Sequence, residues 1–169
     1  WSDEPELKRR ESLLGIEGEP IGPFTMLRHE DDAEKQLIRS TNWAKNIFPS
    51  VGKERQISTH KQANGKIKVG YFGSDFFDHA TLFLMLGLLR NHDRDRFEIY
   101  IFSYGHDNGG AYRHEVKKHC NEFYDIQSSS DEAVVKLVHD VCLDIAIDLK
   151  GYTKNTRSAL FAHNLAPVQ

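Results

Sequence analysis

Residues 66–89 constrain the fold of this chain more than any other stretch. Ile67, Val69 and Tyr71 alternate with Lys66, Lys68 and Gly70, the period of a β-strand, and the run stops at Gly73-Ser74-Asp75. Leu82, Met85, Leu86 and Leu89 then recur at the i, i+3, i+4, i+7 spacing of an amphipathic helix. A strand that runs through the short polar loop 74–79 into a helix opens a βα unit. In open α/β sheets such loops carry the chemistry, because ligands settle beyond the carboxyl ends of parallel strands, where loop backbone and helix N-termini offer N–H groups.

The pattern repeats downstream. Residues 96–104 are apolar on both faces, as a strand covered by helices on each side must be, and 106–110 are a loop. The spacing predicts a short helix over 111–120 and a short strand over 122–126. Ser129 and Glu132 form a capping box for a helix with the stripe Val134, Leu137, Val138 and Val141. Residues 143–149 are a fourth strand, 150–156 its exit loop and 157–163 helical, with Pro167 as a stop before another strand begins. This alternation predicts an α/β fold, a Rossmann-like parallel sheet with flanking helices and right-handed crossovers. Four strands are few for such a sheet, which leads us to expect a piece of a longer protein.

The first 48 residues read as a helical lead-in. A short helix around Pro5, with Leu7 and Leu14 on one side, is broken by Gly15, Gly18, Pro20 and Gly22. Asp31 with Glu34 resembles a cap that opens a packing helix to Phe48, with the stripe Leu37, Thr41, Ala44 and Phe48. Residues 49–65 are polar, with Pro and Gly, and read as a linker between this segment and the sheet domain 66–169.

Charge and motifs exclude several classes. With 22 Lys and Arg against 25 Asp and Glu, the net charge of −3 gives no basis for a nucleic-acid partner. No apolar run approaches a membrane span, and the charged N-terminus lacks a secretory signal, so a cytoplasmic setting is expected, with Cys120 and Cys142 as buried, reduced thiols. The first strand is not followed by a dinucleotide fingerprint or a Walker sequence. No metal is expected either: there is no H-E-x-x-H, and His114 and His119, five apart, fall on different sides of a helix.

Two polar loops remain as a candidate site. Asp75 and His79 could supply a proton acceptor and a group to orient it. Equally, Asp75 could cap the helix and His79 be a solvated first-turn residue. The second loop, Asp148-Leu149-Lys150-Gly151-Tyr152-Thr153, leaves the fourth strand, and in the strand order 3-2-1-4 it lies beside the first loop at the switch point. Both readings stay open at this point.

The segments VGYFGSDFFDHATLFLM, FEIYIFSYG and IDLKGYTKNTRSALFAHNLAPVQ, with PFTMLRHEDDAEKQL upstream, resemble the catalytic region of the O-linked N-acetylglucosamine transferase and SPINDLY-like family, in family order from Pro23 to Gln169. The resemblance implies the N-terminal lobe of a GT-B glycosyltransferase, truncated at its C-terminal end and inactive alone; 1–22 would be at most the end of a tetratricopeptide array. His79 matches the histidine of the family's S-D-F-x-x-H motif, proposed as catalytic base or as a substrate-positioning group. Ser74, Asp75, Asp148, Lys150, Gly151, Tyr152 and Thr153 then fall at substrate-binding positions. The animal enzymes place a second histidine near Phe83 and asparagines at Asp148 and Lys150. The implied partners are a UDP-sugar, held mainly by the other lobe without a metal or other cofactor, and the Ser or Thr hydroxyl of a protein or peptide. A GT-B enzyme acting on a small molecule and a non-enzymatic Rossmann-like binding module are the alternative readings.

Overall fold

The computed structural model describes residues 4–48 and 65–169, so the linker expected at 49–65 lies, Gly65 aside, outside the described residues. The chain divides into two compact units, Trp1–Val51 and Gly52–Gln169. Among the described residues no helix is long and apolar enough to cross a membrane.

In the first unit, helix α1 spans Glu4–Ser12 and α2 spans Ala33–Ile47, with a 3-10 turn at Pro23–Met26 between them. The N-cap of α2 is Asp32, which accepts from the Lys35 amide at 3.0 Å, one residue after the expected Asp31. The expected stripe is not the buried face: Leu37 is 68% exposed, whereas Arg39 is 1% exposed. Its guanidinium donates to the carbonyls of Leu14 (2.8 Å) and Ser12 (2.7 Å) and to Glu30 (2.6 Å), so one cation stitches the end of α1 and the turn to α2. Hydrogen bonds from Lys35, first, and Arg39 hold the Glu30 carboxyl below the usual carboxylate range.

The second unit is a four-stranded, all-parallel sheet. Its strands are β1 (Ile67–Gly73), β2 (Phe97–Ser103), β3 (Glu122–Asp125) and β4 (Ile145–Asp148), in the order β3-β2-β1-β4. Helices α3 (Ala80–Asn91), α4 (Ala111–Lys118) and α5 (Asp131–Val141) connect them. Strand alternation sorts the core into two faces. Val69, Tyr71, Ile99 and Ile101 pack with Leu82, Leu86 and Leu89 of α3 and Val116 of α4. Phe72 and Phe102, stacked at 4.4 Å, pack on the other face with Val134 and Val138 of α5 and Leu160.

Three local expectations are corrected. The N-cap of α5 is Ser130, accepting from the Ala133 amide at 3.3 Å, where Ser129 was expected. The 157–163 helix is a 3-10 segment over Ser158–His163. Cys120 and Cys142 form no disulfide and are only half-buried; burial pushes the Cys120 thiol up to about 11. Beyond Pro167, Val168 pairs parallel with Ile145, which places the start of a further edge beside β4.

A half-buried histidine sits below the sheet's α3 face. Tyr71 Oη and His92 Nε2 are 2.9 Å apart, and burial, aided by Arg94, holds the His92 pKa below its ordinary 6.5. The unfolded chain therefore binds the proton more readily than the folded one. This contribution to stability is complete above pH 6.5 and is lost as pH falls through the folded pKa. Denaturant titrations between pH 7.5 and 5 should show His92→Gln flattening the acid limb of the stability curve; an unchanged limb would remove His92 as its cause.

Candidate functional site

Because all four strands are parallel, the loops after β1 and β4 leave the same edge of the sheet, and β1 pairs directly with β4. The two sequence-predicted loops meet there. Lys150 Nζ donates to Asp75 Oδ2 at 3.0 Å and to Oδ1 at 3.4 Å, with the two side chains only 13% and 12% exposed. A largely shielded ion pair gains little net stability over apolar packing. Its geometric effect is to fix the register of one loop against the other. Ser74 Oγ donates to Asp75 Oδ1 at 2.7 Å, and Thr81 Oγ1 lies 3.5 Å from Oδ2. Burial would raise the Asp75 pKa, but the hydrogen bonds from Ser74 and Lys150 and the Lys150 charge outweigh it and hold the carboxyl below its usual range.

His79, not Asp75, is the N-cap of α3. Its backbone is extended, and its Nδ1 accepts the Thr81 amide N–H at 3.2 Å. The imidazole leans on Phe77, ring centres 5.5 Å apart, and 43% of the side chain is exposed. One turn on, Phe83 is exposed and packs edge-on against Tyr112 at 4.7 Å.

Asp148 and its neighbours hold the second loop from inside. Asp148 Oδ1 accepts from the Lys150 amide at 2.9 Å, and Oδ2 accepts from Ser158 Oγ, which also contacts the Gly151 carbonyl at 2.8 Å. Both carboxylate oxygens thus face the protein's own loop. Thr153 Oγ1 donates to the Lys150 carbonyl at 2.8 Å, closing a tight turn in which Gly151 adopts φ +52°, a conformation costly for any residue with a Cβ. Tyr152 is left half-exposed at the tip. The Tyr104 hydroxyl is buried behind Asp148, and burial with that negative charge raises its pKa.

A third loop, after β2, closes the group. Gly105 passes so near Ser74 that a Cβ on it would lie 1.7 Å from the Ser74 carbonyl oxygen. Asp78 reaches across to accept from the Tyr112 amide of α4 at 3.3 Å, and the buried Arg113 donates to Ser103 Oγ at 2.9 Å while pairing with Asp125 at 2.6 Å and Asp107 at 2.9 Å. Beneath Asp75, between Thr81, Met85 and Leu149, the crevice has a volume of about 10 Å³. That is room for a single water at most, so a larger ligand must lie over the open side of the loops. Among the described residues no three His, Cys, Asp or Glu side chains are grouped to hold a metal ion.

Sequence reasoning missed Thr81 and Ser158. Thr81 contacts both His79 and Asp75, and Ser158 secures Asp148. The signal for Thr81 was its place two residues after a cap; Ser158 becomes visible only once the chain folds back over β4.

Comparison with known proteins agrees with this architecture. A solved structure, a mutant O-GlcNAc transferase of Thermobaculum terrenum, superposes with a TM-score of 0.77 over 98% of this chain and 30% of its own, at 20% identity, which is evidence for the fold. The probable UDP-N-acetylglucosamine–peptide N-acetylglucosaminyltransferase SEC of Arabidopsis thaliana is 29% identical over 104 residues, 62% of this chain and 11% of its own. The UDP-N-acetylglucosamine–peptide N-acetylglucosaminyltransferase of Caenorhabditis elegans is 31% identical over 110 residues, 64% of this chain and 10% of its own. The chain therefore spans about a tenth of the length of these relatives. The pattern that defines glycosyl transferase family 41 matches residues 50–169, the whole sheet unit, and the chain belongs to that family.

Proposed function

We propose that this chain forms one lobe of an inverting glycosyltransferase that moves N-acetylglucosamine, or a related sugar, from a nucleotide diphosphate to Ser or Thr hydroxyls of proteins. The family match over 50–169 carries the reading, and the named activity of the relatives supports the choice of donor and acceptor. The geometry is compatible with it. Displacement at an anomeric carbon needs a pre-organised polar edge with few mobile parts. Here His79 and the Asp75–Lys150 pair stand at the junction of two strand exits, fixed by Ser74, Thr81 and Ser158.

On this reading His79 faces the reacting groups, and Ser74, Asp75, Asp148, Lys150, Gly151, Tyr152 and Thr153 bind substrate or shape the loop that does. The donor is a UDP-sugar used without a metal, and the setting is the cytoplasm. One wall of a cleft does not make a GT-B site, so the 169 residues alone are inactive and the test requires the full-length protein. Incubated with UDP-N-acetylglucosamine labelled in the sugar and with Ser- and Thr-containing peptides, it should yield labelled peptide whose label is released by alkaline β-elimination. Label appearing only on small molecules, or none at all, would overturn the protein-acceptor reading.

A further inference from the structure

An exposed aromatic pair stands one helical turn from the site. The Phe83 amide N–H donates to the His79 carbonyl at 3.1 Å, so residues 79 and 83 share one face of α3. The Phe83 ring, 52% exposed, meets the 40% exposed ring of Tyr112 edge-on, with centres 4.7 Å apart. Neither ring belongs to the buried core. Asp78, the residue before His79, accepts the Tyr112 amide N–H at 3.3 Å and lies so close to Gly110 that a Cβ there would stand 2.4 Å from its Oδ1. Both members of the pair are thereby tied to the turn that carries His79.

Gly87 continues the same face of α3. It lies one turn beyond Phe83 in the middle of the helix, and a Cβ on it would meet nothing within 4 Å. Alanine would fit there and would favour the helix, so packing gives no reason for the glycine. Its effect is to leave a bare stretch of helix between Phe83 and Arg90, whose pairing with Glu115 at 2.9 Å joins α3 to α4 further along.

The spacing matches an extended polypeptide. Four helical residues advance about 6 Å, close to the roughly 6.6 Å between residues i and i+2 of an extended chain. In such a chain residues i and i+2 point to one side, so with a hydroxyl at His79 the side chain two positions away falls on the rings and the bare helix beside them. That surface is apolar and open.

We propose that Phe83, Tyr112 and Gly87 form a specificity subsite that takes a large apolar side chain of the acceptor polypeptide, two residues from the Ser or Thr that receives the sugar. The acceptor rests on the glycosyltransferase reading; the aromatic pair with open helix beside it is a property of the chain itself.

Phe83→Ala and Gly87→Leu test the subsite in the full-length protein, since both positions are exposed and both new residues are good helix formers. Fluorescein-labelled peptides with one central Ser carry Phe, Leu, Ala or Glu at one of the positions one or two residues to either side. Binding is read by anisotropy, and kcat/KM is measured with UDP-N-acetylglucosamine. Wild type should favour Phe or Leu over Ala by about tenfold at a position two residues from the Ser, and by less than about twofold at the adjacent positions. Phe83→Ala removes the ring and Gly87→Leu fills the gap, so each should bring the preference below about threefold.

A preference that is absent from the wild type, or that survives both variants, overturns the proposal. So does an unchanged peptide profile in Phe83→Ala together with a raised KM for UDP-N-acetylglucosamine, which would assign the rings to the sugar. Selective peptide binding by a wild type that transfers no sugar would count against the proposed function and leave the subsite standing; transfer without selectivity would do the reverse.

Discussion

Replacing His79 by Ala in the full-length protein is expected to lower turnover by about 10²–10³-fold, the loss that follows removal of one well-placed polar group from a reacting centre. The fold should barely register the change. His79 is the N-cap of α3, and loss of a cap costs about 0.5–2 kcal/mol, whereas α3 is held by Leu82, Leu86 and Leu89 against the sheet. Turnover measured beside a denaturant titration of the same variant separates the two effects. Near-normal turnover would take His79 out of the mechanism; a collapse in stability would show that its cap holds more of the fold than its single hydrogen bond implies.

The second large effect lies in the first unit. Arg39→Met is expected to destabilise that unit by about 1–3 kcal/mol, the cost of leaving buried carbonyl acceptors without their donor while Glu30 keeps Lys35. Arg39 is 1% exposed and satisfies the carbonyls of Ser12 and Leu14 as well as Glu30. A methionine of similar length fills the space and satisfies none of them. Amide hydrogen exchange should show residues 4–48 exchanging faster in the variant while the β-strand amides of the sheet unit keep their protection. Unchanged exchange over 4–48 would mean that the guanidinium is dispensable to that unit.

Arg39 also shows where reading from sequence stops. Helix α2 was legible as a helix, but its buried face was not, because the partners that make an arginine welcome in the interior are carbonyls 25 and 27 residues away. Caps were legible to within one residue: Asp31-Asp32 and Ser128-Ser129-Ser130 each offer adjacent side chains able to cap, and the choice among them depends on where the helix docks. The sheet was more transparent. Its strands carry period-two or two-sided apolar patterns, and the order β3-β2-β1-β4 follows from βα connection rules that depend little on side-chain detail. The meeting of the 74–79 and 148–153 loops followed from that order. What could not be read was that Lys150 would grasp Asp75, or that Asp148 would turn both oxygens inward, since each depends on rotamers fixed by Ser158, Thr81 and the turn at Gly151.

The pairing of β1 with β4 has a further consequence, for the order in which this chain acquires its parts. β1 with α3 and α3 with β2 can form from neighbours in sequence, and the His79 cap needs only residues 79–81. The Asp75–Lys150 clasp joins residues 75 apart, and closing so long a loop carries an entropic cost that local contacts must first offset. The clasp is therefore expected among the late events of folding, after β2 and β3 have taken their places. A chain caught before that closure would carry the histidine cap on its helix with Asp75 not yet bound to Lys150, so the two loops of the site are joined only as β4 docks.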